Sequence, residues 1–231
     1  MLALFPEGFE EAERGDKFEL SAYTDEGGEA RMCAVFGTVA AKDVPADWEE
    51  RWKHFHRPVR AGRIWIVPPW EQPPQDEESI TIDPGRAFGT GAHPTTRLCL
   101  EFVSELEPAS LVDVGCGSGV LAIAATKLGF APVIGLDSDP HAIVAARANA
   151  AANGVELDLR RGDARVDPLP RTDVGVANIT EALVAAVGPR LECALLVTSG
   201  YFEPHVPRLS GFRTIGRRRL DGWAADLHSR E

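Results

Sequence analysis

The chain has 231 residues, of which 44% are hydrophobic and 26% charged, with a formal net charge of −11. That length suffices for one sizeable domain and a small appendage, and the acidic balance argues against general binding to a nucleic-acid backbone. Apolar runs such as V-L-A-I-A-A and C-A-L-L-V-T are far too short to cross a bilayer.

In chain order, the first stretch, M-L-A-L-F-P-E-G-F-E-E, has no basic start and turns acidic at once, unlike a signal peptide. A cytoplasmic protein is expected. Residues 1–45 are rich in Gly and Glu and hold one strand-like stretch, R-M-C-A-V-F-G-T-V-A. They read as a small N-terminal α+β segment. D-W-E-E-R-W-K-H-F-H-R-P-V, residues 47–59, reads as a short helix with Pro58 near its end. Residues 46–57 are therefore assigned to a linker helix and 58–231 to the main domain.

R-I-W-I-V-P-P-W is a strand candidate running into prolines, and E-Q-P-P-Q-D-E-E-S is an exposed acidic connector. The tryptophans at 48, 52, 65 and 70 read as packing for this linker region. Beyond Ser79 the pattern changes. S-L-V-D-V-G (110–115) is a buried-strand run, and S-G-V-L-A-I-A-A-T-K-L-G (118–129) an apolar helix stopped by Gly129. P-V-I-G-L-D (132–137) is a second strand. The next helix has Asp139 as N-cap, Pro140 at its first position and Asn153-Gly154 at its stop. Residues 155–163, 172–178 and 193–200 are further strands, and G-R-R-R-L (216–220) is a solvated strand edge. Strands alternating with helices predict an α/β fold: a mostly parallel, doubly wound, Rossmann-like sheet covered on both faces.

In L-V-D-V-G-C-G-S-G-V a strand ends, glycines turn and a helix starts. Glycines permit dihedrals closed to other residues and let a ligand approach the backbone. Asp137 follows Gly115 by 22 residues, at the end of the next strand. An acid there can accept hydrogen bonds from both ribose hydroxyls of a nucleoside. Two cofactor classes fit. A dinucleotide fold wants G-x-G-x-x-G, with its third glycine at position 120. That position is Val120, and the third glycine is Gly119. The G-x-G-x-G loop preceded by Asp113 is the one usual in methyltransferases that use S-adenosylmethionine. The four cysteines, at 33, 99, 116 and 193, have neither C-x-x-C nor paired Cys/His spacing, so no metal site is expected.

D-P-G-R-A-F-G-T-G-A-H-P-T-T-R-L-C-L-E, V-D-V-G-C-G-S-G-V-L-A-I-A-A, G-L-D-S-D-P-H-A-I-V-A-A-R-A-N-A-A-A-N-G-V, V-A-N-I and T-S-G-Y-F together resemble the family that methylates ribosomal protein L11 (PrmA). The likeness runs from about residue 47 to the end, and its most family-specific part is the F-G-T-G-x-H-P-T-T core. The resemblance implies an S-adenosyl-L-methionine-dependent N-methyltransferase of the protein-lysine type, with ribosomal protein L11 as partner and no nucleic acid or membrane. It implies cofactor contacts from Phe88, Gly89, Thr96, Asp113, Gly115, Gly117, Asp137 and Asn178. Asn178 is also the candidate catalytic residue, at the strand rim where ligands sit in open α/β sheets. Pro94 is expected to start the helix that carries Thr96, and His93 is read as a hydrogen-bonded structural residue. Thr180 stands where the family has Leu. The chain opens directly at L-F-P-E-G-F-E-E, so the first strand and helix of the family's substrate-recognition domain are expected to be missing. Lysines of another protein, such as electron-transfer flavoprotein, or a small-molecule amine are the alternative acceptors.

Overall fold

The computed structural model describes residues 10–14, 17–21, 26–40, 57–83 and 91–231. The chain divides into two compact units, Met1–Arg51 and Trp52–Glu231. In the first, β1 (Glu10–Arg14) and β2 (Lys17–Ser21) form an antiparallel hairpin, followed by α1 (Glu26–Phe36). The strand expected over R-M-C-A-V-F is therefore the second half of a helix. Its five-residue apolar run, Met32 to Phe36, has no alternation and is compatible with either state. Gly37 settles the end, with φ of +79° and its N–H donating to the Cys33 carbonyl at 2.9 Å, the geometry of a glycine-terminated helix. The linker helix expected over 46–57 lies outside the described residues except for Arg57, which belongs to no helix.

The second unit opens with a three-stranded sheet of β3 (Val59–Ala61), β4 (Ile64–Val67) and β5 (Ser79–Thr81). The main sheet has seven strands: β6 (Leu111–Val114), β7 (Val133–Asp137), β8 (Asp158–Arg161), β9 (Val174–Asn178), β10 (Leu195–Phe202), β11 (Phe212–Leu220) and β12 (Trp223–Arg230). Their order is β11-β12-β10-β9-β6-β7-β8. Strands β8, β7, β6, β9 and β10 pair in parallel, while β12 inserts antiparallel between β10 and β11. The mostly parallel sheet is as expected, and β12 is the departure from an all-parallel pattern.

Helices α2 (Pro94–Val103), α3 (Val120–Lys127), α4 (Pro140–Ala152) and α5 (Glu181–Val187) complete the layers. Successive strand residues feed opposite cores. Leu111, Val176 and Val197 join one cluster with Leu98 and Ile123, and Val112, Ala177 and Leu196 join another with Val184 and Leu209. A sheet buried on both faces needs near-continuous apolar strands, which accounts for runs such as L-V-D-V and V-G-V-A. The basic run on β11 lies on the sheet edge and is matched by acids of the same chain. Arg217 pairs with Asp226, Arg218 with Glu101 and Glu105, and Arg219 with Glu203.

Candidate functional site

Strand β6 ends at Val114, and the chain turns through Gly115, Gly117 and Gly119, whose φ angles are +74°, +52° and +81°. These left-handed values are costly for any residue with a Cβ. Space is short as well: a Cβ on Gly115 would collide with Ile179 Cγ2, and one on Gly119 would lie 3.0 Å from Ala146 Cβ on α4. The loop is docked onto the end of β7. The Gly115 and Cys116 N–H groups both donate to the Leu136 carbonyl, at 2.8 and 3.1 Å.

Asp137 closes the arrangement. Its Oδ2 accepts the Gly117 N–H at 2.9 Å and its Oδ1 accepts the Asp139 N–H at 2.9 Å. Each carboxylate oxygen keeps a further lone pair. The same acid thus holds the glycine loop and the start of α4 while remaining able to accept from a ligand. A cavity of about 240 Å³ opens beside it, with Gly115 and Asp137 on one side and Leu136, Ile179, Leu183 and Val187 as apolar walls. Asp163, Ala164 and Arg165 complete its rim. The Arg165 guanidinium and amide hydrogen-bond the Asp163 carboxyl and hold it down to about 2.

Asp113 lies elsewhere. It is fully buried within β6 and does not line the cavity. Burial pushes its carboxyl up to about 7, with the Ala122 amide opposing and the Asp137 carboxylate adding to the rise.

The second half of the site is built on β9, α2 and β12. Asn178 ends β9 in register with Ser199 of β10, and its Nδ2 donates to Thr96 Oγ1 at 3.3 Å. Thr96 is fully buried in α2, whose first residue is Pro94 as expected. His93 is the N-cap: its Nδ1 accepts the Thr95 N–H at 3.4 Å and lies 2.8 Å from Thr95 Oγ1. Burial lowers the His93 pKa, so the ring is neutral with its proton on Nε2. His93 packs edge-on against Trp223, with ring centroids 4.8 Å apart, and Phe202 stacks on Trp223 at 4.4 Å.

Gly115, Gly117 and Asp137 therefore form one group, and Thr96 and Asn178 another. Ile179, which follows Asn178, walls the cavity and connects the two. Phe88 and Gly89 lie outside the described residues. Sequence reasoning missed Asp163, Arg165, Phe202 and Trp223. The signal for Trp223 was present as Asp221-Gly222 between two strand patterns, a hairpin turn. Both turn residues have positive φ, +50° and +80°, and the hairpin sets Trp223 opposite Phe202 in register.

Four likenesses to known proteins bear on this site. Residues 14–203 match the family model described as Ribosomal protein L11 methyltransferase (PrmA). A ribosomal protein L11 methyltransferase of Symbiobacterium thermophilum is 41% identical over 197 residues, covering 78% of this chain and 65% of the relative. One from Aliivibrio fischeri is 46% identical over 159 residues, covering 66% of this chain and 52% of the relative. The chain thus spans between half and two thirds of the length of these curated relatives. The crystal structure of a ribosomal protein L11 methylase from Lactobacillus delbrueckii subsp. bulgaricus superposes with a TM-score of 0.67 at 32% identity, over 76% of this chain and 99% of that one. The matched span takes in the glycine loop, Asp137, Thr96 and Asn178; the chain belongs to the ribosomal protein L11 methyltransferase (PrmA) family.

Proposed function

We propose that this chain is an S-adenosylmethionine-dependent N-methyltransferase that acts in the cytoplasm on amino groups of ribosomal protein L11. The observation that carries the reading is Asp137 joined through Gly117 to the glycine loop, beside a cavity continuous in sequence with the Asn178 rim. A nucleoside suits these residues: apolar walls at Leu136, Leu183 and Val187 for a base, Asp137 for vicinal hydroxyls, and bare backbone at Gly115, where a Cβ would displace the cavity wall residue Ile179. Gly117 and Thr96 are assigned to the same cofactor, as are Phe88 and Gly89 by family resemblance. Asp113 is assigned as support from beneath the loop. We take residues 58–231 as the catalytic domain, 46–57 as a linker and 1–45 as a partial substrate-recognition segment, since the described site residues fall within the first of these.

S-adenosylmethionine supplies a methyl group already activated by its sulfonium sulfur. The chain's own task is to deliver a neutral amine in the right orientation. Asn178 has its Nδ2 committed to Thr96, which leaves Oδ1 to accept an N–H of the acceptor and aim the nitrogen lone pair. Trp223 and Phe202 form an aromatic wall beside His93. Such a wall attracts an arriving ammonium, and its low polarity favours loss of the ammonium proton to water. His93 Nδ1 is occupied by its capping contacts, so the histidine orients this wall and supplies no base.

Cofactor class is tested by thermal shift on the purified chain. S-adenosylhomocysteine raises Tm, and above its Kd the rise continues with the logarithm of its concentration, while NAD leaves Tm unchanged. A shift with NAD and none with S-adenosylhomocysteine would replace the reading with a dinucleotide enzyme.

A further inference from the structure

Helix α4 is built mostly of alanine in its last two turns, yet carries two asparagines four positions apart, Asn149 and Asn153. Asparagine is a poorer helix former than alanine, so its presence calls for another reason. Asn153, at the C-cap, makes a reciprocal pair with the last residue of β5. Its Oδ1 accepts the Thr81 N–H at 2.8 Å, and its Nδ2 donates to the Thr81 carbonyl at 2.7 Å. Asn149 does something different. Its Oδ1 accepts the Asp83 N–H at 3.1 Å, while its Nδ2 donates to the Ser118 carbonyl at 2.9 Å. Asn149 is only 4% exposed and Ser118 is fully buried.

One buried amide thus touches both the glycine loop, next to Gly117, and the backbone that leads in sequence to the F-G-T-G signature. The Gly115 and Cys116 N–H groups tie the start of the loop to the Leu136 carbonyl, and farther along the Gly117 N–H donates to Asp137. Between them, the Asp137 and Asn149 contacts fix the peptide groups on either side of the Gly117–Ser118 bond. A buried amide in a low-dielectric setting is directional and costly to leave unmatched.

We propose that Asn149 is a positioning residue for the cofactor site, holding the Ser118 carbonyl so that the glycine loop keeps its ligand-ready shape. This rests on the reading of the glycine loop as the S-adenosylmethionine site. Asn153, which grips β5 and the Asn149 carbonyl of its own helix but makes no side-chain bond to the glycine loop, is the internal control: its removal loosens the fold without touching the loop.

The test measures Tm and, by calorimetry, the Kd for S-adenosylhomocysteine in the wild-type chain, Asn149→Ala, Asn149→Asp and Asn153→Ala. Both alanine variants are expected to melt lower. Only those at 149 are expected to raise Kd, by about tenfold or more, the range for an unmatched buried hydrogen-bonding group. Asn149→Asp is nearly isosteric and loses the donor to Ser118. It shares the Kd increase and serves as the readout if Asn149→Ala fails to fold. Unchanged Kd in the folded variants at 149, or an equal rise in Asn153→Ala, would overturn the proposal. A wild-type chain that binds no S-adenosylhomocysteine would overturn the reading of the site itself and this inference with it.

Discussion

Asn178 at the end of β9 donates its side-chain N–H to Thr96 Oγ1 on α2 at 3.3 Å, across 82 residues of sequence. This bond orients the amide and ties the helix that follows the first signature loop to the rim of the sheet. Asn178→Ala is expected to lower kcat about 100-fold, the scale on which lost orientation acts, with the fold intact. Thr96→Val removes the acceptor but keeps the shape, and is expected to lower kcat by a smaller factor, with Thr96→Ser restoring most of it. Steady-state kinetics on methyl transfer checks the series, and wild-type turnover in Asn178→Ala would take this residue out of the site.

Gly115→Ala places a methyl against Ile179 in a left-handed backbone position. The backbone cost alone is about 1–2 kcal/mol, and the displaced Ile179 is a wall of the cavity. Lower Tm and weaker S-adenosylhomocysteine binding are both expected, read by calorimetry and thermal melts. Asp137→Ala should weaken binding further, because it removes the ligand acceptor and frees the Gly117 amide together.

Asp113 sets a pH signature for stability. Its carboxyl is raised to about 7 by burial, against 3.8 in the unfolded chain. A raised folded pKa means that the folded state binds the extra proton. The associated stability is fully present below about pH 4 and is lost as pH rises through about 7. Asp113→Asn removes this titration, so its stability relative to wild type should improve from pH 4 to pH 8, by up to a few kcal/mol. Denaturant melts at the two pH values measure it, and a constant difference between variant and wild type would contradict it.

The edge hairpin depends on a buried ion pair. Arg217 reaches Asp226 Oδ2 at 2.9 Å and also donates to the Glu203 and His205 carbonyls. Tyr201 donates its hydroxyl to the same carboxylate oxygen at 2.8 Å. The Asp226 side chain is 1% exposed and that of Arg217 15%. Arg217→Met strands a buried carboxylate and is expected to cost about 3–5 kcal/mol. The double variant Arg217→Met with Asp226→Leu should recover part of that loss. Urea melts of the single and double variants provide the comparison.

Local chemistry made much of this architecture legible in the sequence. The Asp139-Pro140 start of α4 and the Pro94 start of α2 are capping signals contained within a few residues, and both hold. The apolar strands of the main sheet stand out because both of their faces are buried. Residues 31–36 read as a strand because the five-residue apolar run Met32 to Phe36 carries no period, and the glycine that ends their helix also suits a turn. The Asn178–Thr96 and Asn149–Ser118 bonds join residues far apart in sequence, so no spacing rule reaches them. Asp163 and Arg165 belong to no motif in the sequence and reach the cavity rim because β8 pairs beside β7.

The most direct test of the proposed activity uses S-adenosylmethionine labelled on its methyl, with purified, unmethylated ribosomal protein L11 and either the wild-type chain or Asn178→Ala. The account predicts label on L11 amino groups with wild type and a loss of about 100-fold in rate with Asn178→Ala. Absence of label on L11 from a wild-type chain that binds S-adenosylhomocysteine would contradict L11 as the acceptor.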